Sequence, residues 1–259
     1  LPDTLDILRK SGHHIGAHVL KDFSESMGVN DRVALAKANA VMRQRINHRL
    51  MTQGVELVDP DNTYIDATVV IGKDTIIEGG VSLLGQTSIG HDTVITQGSR
   101  LKDSTVGNEV VITASHLEEA VVDNRVTIGP YAHLRPQSHL ADDVHIGNFV
   151  ETKQATLGKG SKAGHLSYVG NVEMGQDVNV GAGTIFVNYD GVNKFTSVVG
   201  DHAFIGSNTK IVAPVHIGTQ AITAAGSTIT NDVPEKAMGI ARSKQMNKDN
   251  FWSRIPHKK

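Results

Sequence analysis

The chain of 259 residues has no cysteine, a single tryptophan and only 4 % aromatic residues. Without cysteine there are no disulfides, thiol nucleophiles or thiolate metal ligands, which is compatible with a reducing cytoplasm, the expected localisation. So few rings argue against a core built around large aromatic side chains. No apolar run approaches the roughly 18 residues that a membrane-crossing helix needs. A net charge of −2 gives no reason to expect a nucleic acid or a membrane surface as partner. No signal peptide is read at the start, where the first residue is Leu, and a fragment or processed product is expected. Glycine, by contrast, is plentiful at 26 residues.

Those glycines are periodic. Ile71-Gly72 and Ile89-Gly90 lie 18 residues apart, as do Ile128-Gly129 and Ile146-Gly147. Similar aliphatic-Gly pairs follow at Met174-Gly175, Val180-Gly181, Val199-Gly200, Ile205-Gly206 and Ile217-Gly218. A period of six within a period of 18 predicts a left-handed parallel β-helix of hexapeptide repeats, three flat faces to each coil. The aliphatic residue points inward. The next position is expected to face outward near a corner, where Gly, Asn or Asp tolerates a positive φ.

Ahead of the repeat, a helix is expected at Thr4–Lys10, ended by Gly12, and a strand at Ile15–Leu20. Asp31 offers an N-cap, and Leu35, Ala38, Met42, Ile46 and Leu50 recur at spacings of three and four up to Gly54. These predict one amphipathic helix over 32–53, joining two domains. The repeat then runs from about 58 to about 232, nine or ten coils at roughly 18 residues each. It breaks between Gly181 and Gly200, where Phe186–Phe195 carries Asn188-Tyr189-Asp190-Gly191 and two aromatics, so a loop thrown out from the prism is expected. After Pro234 a short helix leads to Arg242 and a basic tail ending His257-Lys258-Lys259.

Arg135 and Lys153 are 18 apart and both occupy the slot that the pattern reserves for glycine. They should stack on adjacent coils, about 5 Å apart at the backbone. They read either as a solvated pair or as a clamp for an anion such as a phosphate, with Glu151 close enough in sequence to act as counter-ion. His165, about one coil further on, can act as a general base because imidazole titrates near a pH of about 6.5. His133, His139 and His145 are spaced by six, which puts each on a different face, so a zinc site would need a partner subunit. Ala182, Ser207 and Ala225 hold one slot past glycine, and such small side chains leave a groove in which an extended arm such as pantetheine could lie.

The stretch Arg135-Pro136, Gly147–Lys153, Gly158–Tyr168 with its Gly-Lys-Gly-Ser-Lys-Ala-Gly-His run, Asn179–Thr184 and Asn188–Gly191 resembles a known family. It is that of the bacterial bifunctional N-acetylglucosamine-1-phosphate uridyltransferases/glucosamine-1-phosphate N-acetyltransferases. The resemblance extends over essentially the whole chain, including Gly28-Val29-Asn30. It implies a remnant of an α/β uridyltransferase domain at 1–31, a linker helix at 32–53, a β-helix acetyltransferase domain at 54–242 and a basic tail at 243–259. It implies acetyl transfer from acetyl-CoA to glucosamine 1-phosphate, and coupling of the product to UTP to give UDP-N-acetylglucosamine for cell-wall synthesis. By position, His165 would be the catalytic base, and Arg135, Lys153, Tyr168, Asn179 and Asn188 would bind the sugar phosphate. Ala182, Asn188, Tyr189, Ser207, Ala225 and Arg242 would line the acetyl-CoA site, with the Ala182 N–H on the oxyanion. The family implies a homotrimer with sites between neighbouring prisms. Asn30 matches a residue of the family's Mg2+ and sugar-nucleotide site, but the nucleotide loop, its lysine and its acidic metal ligand are missing. The uridyltransferase reaction is therefore not expected of this chain alone.

Other readings weighed are an acetyltransferase for serine or another sugar, a structural or ice-binding prism, and a γ-class carbonic anhydrase. The cation pair argues against serine, the thrown-out loop against a purely structural prism, and the histidine spacing against the carbonic anhydrase unless a trimer forms.

Overall fold

The computed structural model describes residues 2–256; His257, Lys258 and Lys259 of the expected tail lie outside the described residues. The chain divides into two compact units, Leu1–Arg45 and Ile46–Lys259.

In the first unit α1 spans Pro2–Lys10, closed by Gly12 at φ +79°. Residues 15–20 form no strand; they are exposed, with no strand beside them in this unit to pair with. Helix α2 spans Arg32–Thr52 and starts where Asp31 Oδ1 accepts the Ala34 N–H at 2.7 Å, an N-cap bond. Of its expected apolar stripe only Ile46 and Leu50 are buried, both within the second unit; Leu35 and Met42 are exposed. Gly54, at φ +97°, ends the helix, and the Val55 N–H reaches back to the Leu50 carbonyl.

The second unit is a left-handed parallel β-helix of about eleven turns. It is longer than the nine or ten expected, because pairing starts at Glu56 and continues to Gly239. In place of the helix predicted after Pro234, Met238–Gly239 pairs with Ile222–Thr223 as a last strand. The first face stacks Ile76, Val94, Val111, Thr127, His145, Lys162, Asn179, Phe204 and Ile222. The second stacks Arg100, His116, His133, Glu151, Tyr168, Ile185 and Lys210. The third stacks Val121, His139, Thr156, Glu173, Val198 and His216. Inside, the ladder is aliphatic except where Thr152, Phe186 and Thr223 take the inward slot, and buried hydroxyls such as Thr75 and Ser161 donate to corner carbonyls of Gly90 and Gly175.

Coil length is not a fixed 18. Partners are 16 residues apart at Val111↔Thr127, 17 at Asn148↔His165, 18 at His133↔Glu151 and 25 at Asn179↔Phe204. The glycine slot takes the expected positive φ at Gly129, at +101°, but at most other coils its cause is different. Gly72, Gly90, Gly147 and Gly206 do not have positive φ. A Cβ on Gly72 would lie 2.6 Å from the Gly90 backbone, and on Gly147 1.9 Å from the Gly164 carbonyl. Close approach of successive coils excludes a side chain there. The left-handed residues come two positions later, at Asp74, Asp92, Phe149 and Asn208 among others.

Phe186 belongs to the core rather than to the loop. It lies on the strand Ile185–Val187 and is fully buried. The loop occupies residues 188–196, and the 25-residue offset there is seven more than a regular coil.

Candidate functional site

Two strands of 13 residues, His145–Leu157 and Lys162–Met174, run unbroken round the corners of neighbouring coils and form the scaffold. Their register sets Asn148 against His165, Glu151 against Tyr168 and Lys153 against Gly170. His133↔Glu151 and Leu134↔Thr152 carry the same alignment one coil back, and the Arg135 N–H donates to the Thr152 carbonyl at 2.9 Å. Arg135 and Lys153 therefore stack on one wall, as the spacing predicts.

Arg135 Nη1 donates to Glu151 Oε1 at 2.8 Å, and this bond, more than the charge of the carboxylate, holds the guanidinium above the ordinary arginine range. Lys153 is pushed below the ordinary lysine range, first by the side chain of Lys194 and then by the charge of Arg135. Lys194 stands on the loop that the repeat throws out. The sequence reading missed it; its signal was a lysine four residues after Asp190 in the segment that breaks the period. Three cations thus gather at the far edge of the second face, with Glu151 bonded to Arg135 and Glu118 also acting on it from the coil before.

Tyr168 lies between this cluster and His165. Its ring covers Gly170, where a Cβ would come 2.5 Å from the phenol oxygen, so that glycine makes room for the tyrosine. Asn188 is buried at the root of the loop. Its Nδ2 donates to Asn171 Oδ1 at 2.6 Å and to the Tyr168 hydroxyl at 3.3 Å, so within the chain it braces the tyrosine. Beyond it the loop closes on itself: Asp190 Oδ1 accepts the N–H groups of Val192 and Asn193, and Tyr189 bridges to Lys194. The N–H groups of Asn193 and Val192 hold the Asp190 carboxyl below its usual range. Tyr189 is exposed.

His165 is exposed at the corner between the first and second faces, with Nδ1 3.0 Å from Asn148 Oδ1. From the register, His165, Ala182, Ser207 and Ala225 form one column down this corner. The carbonyl of Ala182 accepts the Asn208 N–H and that of Ser207 accepts the Gly226 N–H. Arg242 lies at the foot of the column, its Cδ 3.8 Å from where a Cβ on Gly226 would be. The histidine and all four residues expected at the cofactor groove outside the loop thus share one edge.

Asn179 does not join the cation cluster within one chain. It is on the first face, in register with Lys162, and His145 follows one coil back. His145 is pushed below the ordinary imidazole range by burial first, then by Lys162 and His165. Asn30 stands exposed in the first unit. Among the described residues no three His, Cys, Asp or Glu side chains converge as a metal site, and no helix is long and apolar enough to cross a membrane.

Comparison with known proteins agrees with this geometry. The bacterial transferase hexapeptide family (six repeats) matches residues 196–231. The bifunctional protein GlmU of Streptococcus suis is 56% identical over 99% of this chain and 56% of its own length. That of Streptococcus agalactiae is 53% identical, and that of Streptococcus thermophilus 52%, with the same two coverages. The chain belongs to the GlmU family over the part it spans. It spans about half the length of these curated relatives.

Proposed function

We propose that the chain transfers an acetyl group from acetyl-CoA to the amine of glucosamine 1-phosphate. The observation that carries this reading is the gathering of Arg135, Lys153 and Lys194 at one edge of the wall whose other edge bears His165. The three cations outnumber the carboxylates of Glu151 and Glu118 that act on Arg135, and the excess positive charge suits a phosphate. A sugar held there by its phosphate lies across Tyr168 and points its amine at the histidine. The strand between the edges spans about five residues, or ~16 Å, which long Arg and Lys side chains narrow.

In the reaction the neutral amine nitrogen attacks the thioester carbonyl carbon and a C–N bond forms. His165 takes the proton that the nitrogen sheds. The carbonyl oxygen gathers the electron pair and is met by the Ala182 N–H, which donates to no other backbone group among the described residues. Collapse of the intermediate breaks the C–S bond, and the departing thiolate receives the proton from the imidazolium. The groove past Ala182, Ser207 and Ala225 suits the pantetheine arm, with Tyr189 beside it and Arg242 at its foot for a phosphate of coenzyme A.

Asn179 on the neighbouring face supports a site completed by a second copy, and a homotrimer is the assembly proposed. A longer protein containing this chain would also carry the Mg2+-dependent transfer of a uridylyl group from UTP to the N-acetylglucosamine 1-phosphate formed here, with release of pyrophosphate. The residues present do not fit that ion: Asn30 offers one neutral oxygen, with no converging carboxylates among the described residues. No step is derived through it.

The test is thiol release from acetyl-CoA with glucosamine 1-phosphate against glucosamine. Activity is expected with the phosphorylated amine, and His165→Ala is expected to lower kcat at least about 100-fold with an unchanged circular dichroism spectrum. Equal rates on both amines, or a His165→Ala variant with near-normal kcat, would rule the reading out.

A further inference from the structure

We infer that Asn148 is a positioning residue for His165, selecting the tautomer in which Nδ1 carries the proton and Nε2 carries the lone pair. This inference rests on the acetyltransferase reading for its kinetic consequence, but not for its structural content.

The register brings the two side chains together. Asn148 and His165 are direct partners on adjacent parallel coils, and Asn148 Oδ1 is 3.0 Å from Nδ1. A carboxamide oxygen only accepts, so the ring nitrogen facing it must donate. A neutral imidazole with its proton on Nδ1 leaves Nε2 as the basic atom. Nε2 has no partner among the described residues, so it stays free to take a proton from a substrate amine.

The spacing between the two side chains is fixed by the backbone on both sides. Gly147 and Gly164, just before the pair, approach so closely that a Cβ on Gly147 would be 1.9 Å from the Gly164 carbonyl oxygen. Phe149 and Leu166, just after it, both take left-handed conformations, at φ +57° and +46°. The Phe149 ring stacks on Tyr131 of the preceding coil, centroids 5.6 Å apart and nearly parallel. Such conformations strain non-glycine residues and persist where surrounding structure over-determines them. Here they turn a corner that holds the amide and the imidazole in line. The other titratable group that faces His165 is His145, in turn beside Lys162, and both sit on the first face.

Two consequences separate positioning from bulk structure. First, nitrogen-15 spectra of the ring in the free protein, assigned with His165→Ala, should show the Nδ1–H tautomer. Asn148→Ala should shift the ring towards the Nε2–H form that free imidazoles favour. Second, Asn148→Ala should lower kcat by at least about tenfold while KM for both substrates stays within about twofold. Asn148→Asp keeps an acceptor for Nδ1–H but adds a negative charge, which favours the imidazolium. It should recover most of kcat at high pH and move the acidic limb of the kcat profile upward by about one pH unit.

An Nε2–H tautomer in the wild-type ring would overturn the inference, since the amide would then be donating. So would an Asn148→Ala variant with unchanged kcat, or an Asn148→Asp profile that does not move. If the protein proves to have no acetyltransferase activity, that reading alone fails, and the nitrogen-15 spectra still decide the role of Asn148.

Discussion

Lys153 sits beside two other cations, Lys194 and Arg135, and its depressed pKa is the electrostatic record of that crowding. The sign of the pH effect follows. In the free protein Lys153 loses its proton at lower pH than an ordinary lysine does. A bound phosphate favours the charged form, so binding above the free-state pKa takes up a proton. Affinity for the phosphosugar is therefore full below that pKa and falls as pH rises through it. The expected outcome is a KM for glucosamine 1-phosphate that climbs on the alkaline side, with the KM for acetyl-CoA nearly flat. Lys153→Arg should flatten that climb, because a guanidinium keeps its charge throughout. Steady-state kinetics across pH checks both. Lys194 explains why the cation pair alone was an incomplete reading: its partner in space is 41 positions away from it in sequence, across a loop whose path the repeat does not encode.

A hexapeptide strand is legible because its inward residue and its glycine slot are constrained by different contacts. The aliphatic residue fills the interior, and the glycine lets two coils touch. This makes two neighbouring glycines behave differently. Gly147→Ala drives a Cβ against the backbone of Gly164, whereas Gly164→Ala meets nothing within 4 Å and needs no positive φ. Gly147→Ala is expected to cost about 3 kcal/mol or more and Gly164→Ala less than about 0.5 kcal/mol, read from thermal or denaturant unfolding. The loop at 188–196 was legible as a break, but its start was misjudged by two residues. Phe186 breaks the preference for narrow aliphatic plugs, yet its ring fits the prism interior and is fully buried. The loop's ends are joined by the Phe195 N–H donating to the Asn188 carbonyl at 2.9 Å. Deleting Tyr189–Phe195 removes the seven-residue excess and should leave a prism with a similar melting temperature. The same deletion removes Lys194 and Tyr189, and should abolish measurable binding of the phosphosugar by calorimetry. A chain that no longer folds would show that the loop is part of the core.

For the molecule as a unit, periodicity assigns the repeat's strands to faces but is silent about what one prism presents to another. Strand order, coil direction and the Arg135–Lys153 stack all follow from spacing. Asn179 lies beside Lys162, a face away from Tyr168 and Lys153, and the proposed function gives it a role through a second copy. If the first face of one prism closes the second face of the next, each site takes His165 from one chain and Asn179 from its neighbour. Two variants that are each inactive alone, His165→Ala and Asn179→Ala, should then complement when mixed, unfolded and refolded together. A mixed trimer can place an Asn179→Ala chain, with its intact His165, against a His165→Ala chain, with its intact Asn179. Random assembly of equal amounts restores about a quarter of the sites in a closed ring of three. The measurement is thiol release from the refolded mixture against each variant refolded alone. Light scattering should report about three times the 27.7 kDa chain mass. Activity no higher than that of the separate variants would mean that both residues serve the same chain's site, and that the second copy does not supply Asn179.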